Sequence, residues 1–104
     1  MIKIEFFVLP DGEITGFHIL YHSGFEEAGK DIVCAAVSSA AYMAANTVTE
    51  VLSVPPIALR ADDGDMIIRV ENKDAHICRS VFQGLKLHLI NLEKQYDEFV
   101  RVNY

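Results

Sequence analysis

Apolar and polar residues alternate from the second position of the chain. Ile2, Ile4, Phe6 and Val8 fall on one side, Lys3, Glu5 and Phe7 on the other. This period of two over residues 2–9 predicts a strand. Pro10-Asp11-Gly12 predicts a turn, because Pro presets φ and Gly accepts a positive φ. Glu13 to Tyr21 reads as the return strand of a hairpin. Its inward set is either Ile14, Gly16, His18 and Leu20, or Phe17, Ile19 and Tyr21. Alternation leaves both registers open.

Residues 22–30 read as a loop, with Gly24 and Gly29 permitting backbone angles other residues avoid and Glu26 and Glu27 solvated. It is expected to be mobile and to gain order over a ligand. Asp31 is a suitable N-cap for a helix running to about Leu52. That helix is rich in small residues: Ala35, Ala36, Ser38, Ser39, Ala40, Ala41, Ala44 and Ala45. Small side chains let a helix lie close to a sheet or to a symmetry mate. Pro55 and Pro56 end it.

Ile57 to Arg60 and Met66 to Val70 predict two further strands, joined by the Asp/Gly-rich turn at 61–65. Asn72 or Asp74 caps a second helix from about Ala75 to Tyr96, whose buried stripe is expected to be Ile77, Val81, Leu85, Leu89, Leu92 and Tyr96. Alternation from Phe99 to Tyr104 predicts a last strand. The order β-β-α-β-β-α-β implies an α+β fold: one mostly antiparallel sheet packed with two helices, on one face or on opposite faces.

With 104 residues, 51% of them hydrophobic and 23% charged, the chain is expected to be a single domain, 1–104, with a substantial core. A net charge of −6 argues against a dedicated nucleic-acid binder and suits a basic partner. The start lacks the pattern of a signal peptide, and no apolar run is read as a membrane span. A cytoplasmic protein with reduced cysteines is therefore expected. Cys34 and Cys78 form no CxxC or finger spacing, and no phosphate loop appears, so neither metal nor cofactor is expected.

His22 ends an apolar strand, and Cys34 lies in the first turn of the following helix. Unpaired helix N–H groups and the helix dipole would favour a thiolate at Cys34 and could hold an oxyanion. A neighbouring imidazole could keep the proton. On residue types alone, a cysteine among Ala and Val is more often a small buried hydrophobe.

The segment resembles the signature of the bacterial ribosomal-processing cysteine protease family. The matching residues are His22, Ser23, Gly24, Gly29, Asp31, Cys34, Ala35, Ala36 and Ser38, about a quarter of the chain. The resemblance implies a homodimeric endopeptidase that removes the N-terminal extension of a large-subunit ribosomal protein precursor. It implies Cys34 as nucleophile and His22 as general base and later acid. Asp31 would support the pair as loop anchor or orienting carboxylate, Ser38 would sit beside the thiol, and Ser23, Gly24 and Gly29 would belong to the substrate loop. The family usually has glycine before the histidine, where this chain has Tyr21. Tyrosine there could narrow the substrate channel or alter specificity.

Other readings accompany this one. Asp31 could serve only as a cap, and Ser38 could bond only the carbonyl one turn back. His18, His22 and Cys34 could form a metal site. His76 and Cys78 point to different faces of a helix start, and His88 reads as surface or satisfied core. The rival function is a non-catalytic dimeric interaction module that binds a ribosomal or ribosome-assembly partner.

Overall fold

The computed structural model describes residues 1–21, 30–62 and 64–104, with Lys30 by its backbone alone. Strand β1, Ile2–Val8, pairs antiparallel with β2, Ile14–Tyr21. Strands β3, Ala58–Asp62, and β4, Asp65–Arg69, form the second hairpin, and β4 continues the sheet beside β2. Strand β5, Val100–Asn103, runs parallel to β1 on the other edge. The sheet order is β3-β4-β2-β1-β5. Helix α1 spans Lys30–Asn46 and continues through a wider π-helical turn at Thr47–Val51. Helix α2 spans Arg79–Gln95. The element order and the α+β class are those the hydrophobic pattern predicts.

A bulge settles the register of β2. Phe7 pairs with Gly16 and Val8 with Ile14, so Thr15 is an extra residue on the β2 side. Beyond it Phe17 and Ile19 face the core and are fully buried; Ile14 joins them because the bulge shifts the parity by one. Neither simple alternation could describe the whole strand. Gly16 is required by contact: a Cβ there would lie 2.0 Å from the Ile68 carbonyl oxygen on β4.

Directly paired residues share a face, so Ile2, Ile4 and Phe6 lie with Ile19, Phe17, Met66, Ile68, Val100 and Val102. These residues form one buried cluster with Val33, Val37, Ala41 and Val48 from the α1 segment and Phe82, Leu85 and Leu89 from α2. Both helices therefore cover the same face of the sheet. Each fully buried large side chain contributes roughly 1.5–3 kcal/mol. Phe17 stands between Phe6 and Phe82, with an edge-on contact to Phe82 at 6.2 Å between centroids.

The second helix departs from its sequence reading. Asn72–Asp74 form a 3-10 turn, and the α-helix begins only at Arg79. The residues between follow turn geometry, which changes the helical phase. Ile77 is consequently exposed, while Cys78 and Phe82 are buried. The buried stripe is Cys78, Phe82, Leu85, Leu89 and Leu92, with Val81 and Tyr96 at its margins.

The opposite sheet face carries Glu5, His18, Arg60, Asp65 and Ile67. There the Asp65 carboxylate accepts from His18 Nε2 at 2.7 Å and from Arg60 Nη2 at 2.9 Å. The hydrogen bond from His18, followed by that from Arg60, holds the Asp65 carboxyl below its usual range.

Candidate active site at the start of helix α1

Helix α1 begins at Lys30, so its unsatisfied N–H groups lie in the turn before Cys34. Asp31 is inside that first turn rather than at the cap, a correction to the sequence reading. Its exposed carboxylate lies at the positive end of the helix, where a negative charge is stabilised by about 0.3–1 kcal/mol. Cys34 therefore falls one turn into the helix rather than at its third residue.

At 100° per residue, Asp31, Cys34, Ser38 and Tyr42 share one flank of α1, beside the apolar face formed by Val33, Val37 and Ala41. Cys34 is half-buried and packs against the core, and neither it nor Cys78 is in a disulfide. Strand β2 brings Tyr21 to the same flank. Tyr21 pairs with Ile2 and so points to the helix side of the sheet. Its backbone N–H donates to the Gly64 carbonyl at 3.0 Å. Its phenol shares a hydrogen bond with the Ser38 hydroxyl. Ser38 thus has a partner across the interface rather than only the carbonyl one turn back.

Burial pushes the Tyr21 phenol up from its ordinary value; the Ser38 hydrogen bond opposes this, and the neighbouring Cys34 and Tyr42 add to it. The structure therefore brings Cys34, Ser38 and Tyr21 together. In the sequence Tyr21 stands out as a departure from a family pattern and as one member of an alternative inward set, not as a partner of Ser38. Its parity with Phe17 and Ile19 was the available signal that it faces inward. The expected site residues His22, Ser23, Gly24 and Gly29 lie outside the described residues.

The other candidates separate from this cluster. His18 sits on the sheet face away from α1, bonded to Asp65, so it does not join Cys34 in a metal site. Among the described residues no group of three or more His, Cys, Asp or Glu side chains could hold an ion. Cys78 is fully buried, and burial, with a smaller contribution from Asp74, pushes its thiol up. His76 is exposed. His88 is exposed and lines an apolar groove between α1 and α2 with Ala40, Met43 and Gly84. That groove lies on the flank of α1 opposite Cys34.

The 21-residue segment Asp31–Val51 is, by length and composition, apolar enough to cross a membrane, with an 18-residue window of mean hydropathy 1.4. Alanine supplies much of this value. The segment packs Val33, Val37, Ala41, Ala44 and Val48 against the sheet, as a core helix does.

Residues 1–101 match the model of the family described as cysteine protease Prp. The chain is 28% identical over 105 residues to the ribosomal processing cysteine protease Prp of Staphylococcus aureus, covering 100% of this chain and 99% of that protein. It is similar in structure to the S. aureus protease crystallised with a substrate peptide, with a TM-score of 0.89, 27% identity and coverage of 100% and 99%. A second structure of that protease, holding a covalently linked product peptide, has a TM-score of 0.83 at 28% identity, again covering 100% and 99%.

Proposed function

The chain belongs to the cysteine protease Prp family, and we propose that it removes the N-terminal extension of a bacterial large-subunit ribosomal protein precursor. As a member of that family it is a cysteine protease. The observation that carries the finer reading is the full-length likeness to the S. aureus ribosomal processing protease, including the form that holds a covalently linked product peptide. A covalent product requires a nucleophile. Cys34, half-buried at the start of α1, suits that role, whereas Cys78 is sealed in the core.

In this reading the Cys34 thiolate attacks the scissile carbonyl, with His22 having taken its proton. Helix N–H groups in the first turn of α1 favour the negative oxygen that develops. Collapse breaks the C–N bond, and His22 returns a proton to the departing amine. Water, deprotonated by His22, then hydrolyses the thioester and regenerates the thiol. Asp31, at the exposed end of the flank, acts as loop anchor, and Ser38 lines the thiol. Ser23, Gly24 and Gly29 form the loop that meets the peptide. The protease works as a homodimer in the cytoplasm, where its ribosomal substrate is made.

The test is incubation with the extended precursor, followed by mass measurement of both protein products. The wild type is expected to release the N-terminal extension, and Cys34→Ala is expected to leave the precursor intact while keeping the native circular dichroism spectrum. Cleavage by the alanine variant at the wild-type rate would refute the assignment. Tight precursor binding with no cleavage by the wild type would favour the interaction module instead.

A further inference from the structure

The Tyr21–Ser38 hydrogen bond is a polar link between the end of β2 and the Cys34 flank of α1, set beside apolar contacts. Both ends of Tyr21 are held. Its main chain is fixed by pairing with Ile2 and by the 3.0 Å bond to the Gly64 carbonyl. Its half-buried ring packs against the core. Ser38 follows Cys34 by one turn, which places their Cβ atoms about 5–6 Å apart.

Two hydroxyl groups carry two protons, and their mutual bond uses one. The second remains available on this flank. A helical serine often gives its proton to the carbonyl four residues back. When the phenol donates to Ser38, the serine proton is left to choose between that carbonyl and the Cys34 sulfur. We propose that the Tyr21–Ser38 pair is a clamp that directs a hydroxyl proton toward the Cys34 sulfur and stabilises its thiolate, with Tyr21 a positioning residue acting through Ser38.

The electrostatics agree with this arrangement. Burial raises the phenol above its ordinary value; the Ser38 bond opposes this and the neighbouring Cys34 and Tyr42 add to it, so the phenol stays a neutral donor near neutral pH. Among the described side chains, Asp31 and Tyr42 are the other titratable groups on this flank of α1. Both would disfavour a thiolate when charged, which gives a neutral donor beside the sulfur something to offset. The role of the clamp in peptide cleavage rests on the protease reading above. Its effect on the thiol does not.

The experiment measures the iodoacetamide alkylation rate at Cys34 against pH, by peptide mass mapping, in wild type, Tyr21→Phe, Ser38→Ala and the double variant. Phenylalanine keeps the ring, and alanine is the best helix former, so the fold is retained. Each single variant is expected to raise the midpoint by about one pH unit and to slow reaction near pH 7 about tenfold. The double variant is expected to match the singles, because both remove the same link. An unchanged or lowered midpoint in Tyr21→Phe would overturn the proposal. If that variant does not fold, Ser38→Ala decides alone by the same criterion. On the precursor, Tyr21→Phe is expected to lower kcat with little change in KM. A wild type that cleaves nothing would sink the protease reading while the alkylation profiles still judged the clamp.

Discussion

The phase of α2 can be tested by comparing two substitutions at positions the sequence pattern treats differently. Ile77 belongs to the stripe read from the sequence, yet in the structure it is 57% exposed, while Phe82 is fully buried against Phe17. Phe82→Ala removes a whole ring from a close-packed core and is expected to cost about 3–5 kcal/mol, through lost burial and the cavity left behind. Ile77→Ala touches little and should lie within about 0.5 kcal/mol of wild type. Domain stabilities of about 5–15 kcal/mol make the first change severe and the second hard to detect. Urea denaturation followed by circular dichroism measures both, with Phe82→Leu as a milder variant in case the alanine form unfolds. At about 4–8 °C per kcal/mol, the Phe82→Ala melting temperature should fall by about 12 °C or more. Equal losses at the two positions, or a larger loss at Ile77, would refute the helix phase described above.

Other outcomes follow from the same contacts. In the native protein a small alkylator should modify Cys34 first, because Cys78 is sealed and must wait for opening; at about 5 kcal/mol of stability that delay is more than a thousandfold. Mass mapping after brief treatment checks this, and equal labelling of both thiols would exclude it. Gly16→Ala would drive a Cβ into the Ile68 carbonyl, so it should lower the melting temperature sharply, whereas Gly84→Ala, which meets nothing within 4 Å, should not lower it. The hydrogen bond from His18, then that from Arg60, makes the Asp65 carboxyl titrate below its ordinary value in the folded state. The stability it contributes is present above the unfolded pKa and is lost as pH falls through the folded value. The stability gap between wild type and Asp65→Asn, read by urea denaturation, should therefore narrow in strong acid; a gap independent of pH would contradict the His18 and Arg60 contacts.

Local periodicity determined much of this protein. The two hairpins, the two helices, the last strand and their order can all be read from alternation, turn residues and helical spacing, since each depends on neighbours only a few positions apart. The stretch from His22 to Ser38 likewise carried the resemblance to a cysteine protease family. Tertiary structure decided what depends on distant partners. The Thr15 bulge chose the face of β2, because the strand must bury Ile14 as well as Phe17 and Ile19. The turn before Arg79 exchanged Ile77 for Cys78 in the core. Packing set both helices on one face and laid β5 parallel to β1. The same packing brought Tyr21 to Ser38 across 17 positions of sequence. Side-chain periodicity tells a residue which way to point, but only the assembled sheet and helix tell it what it meets there.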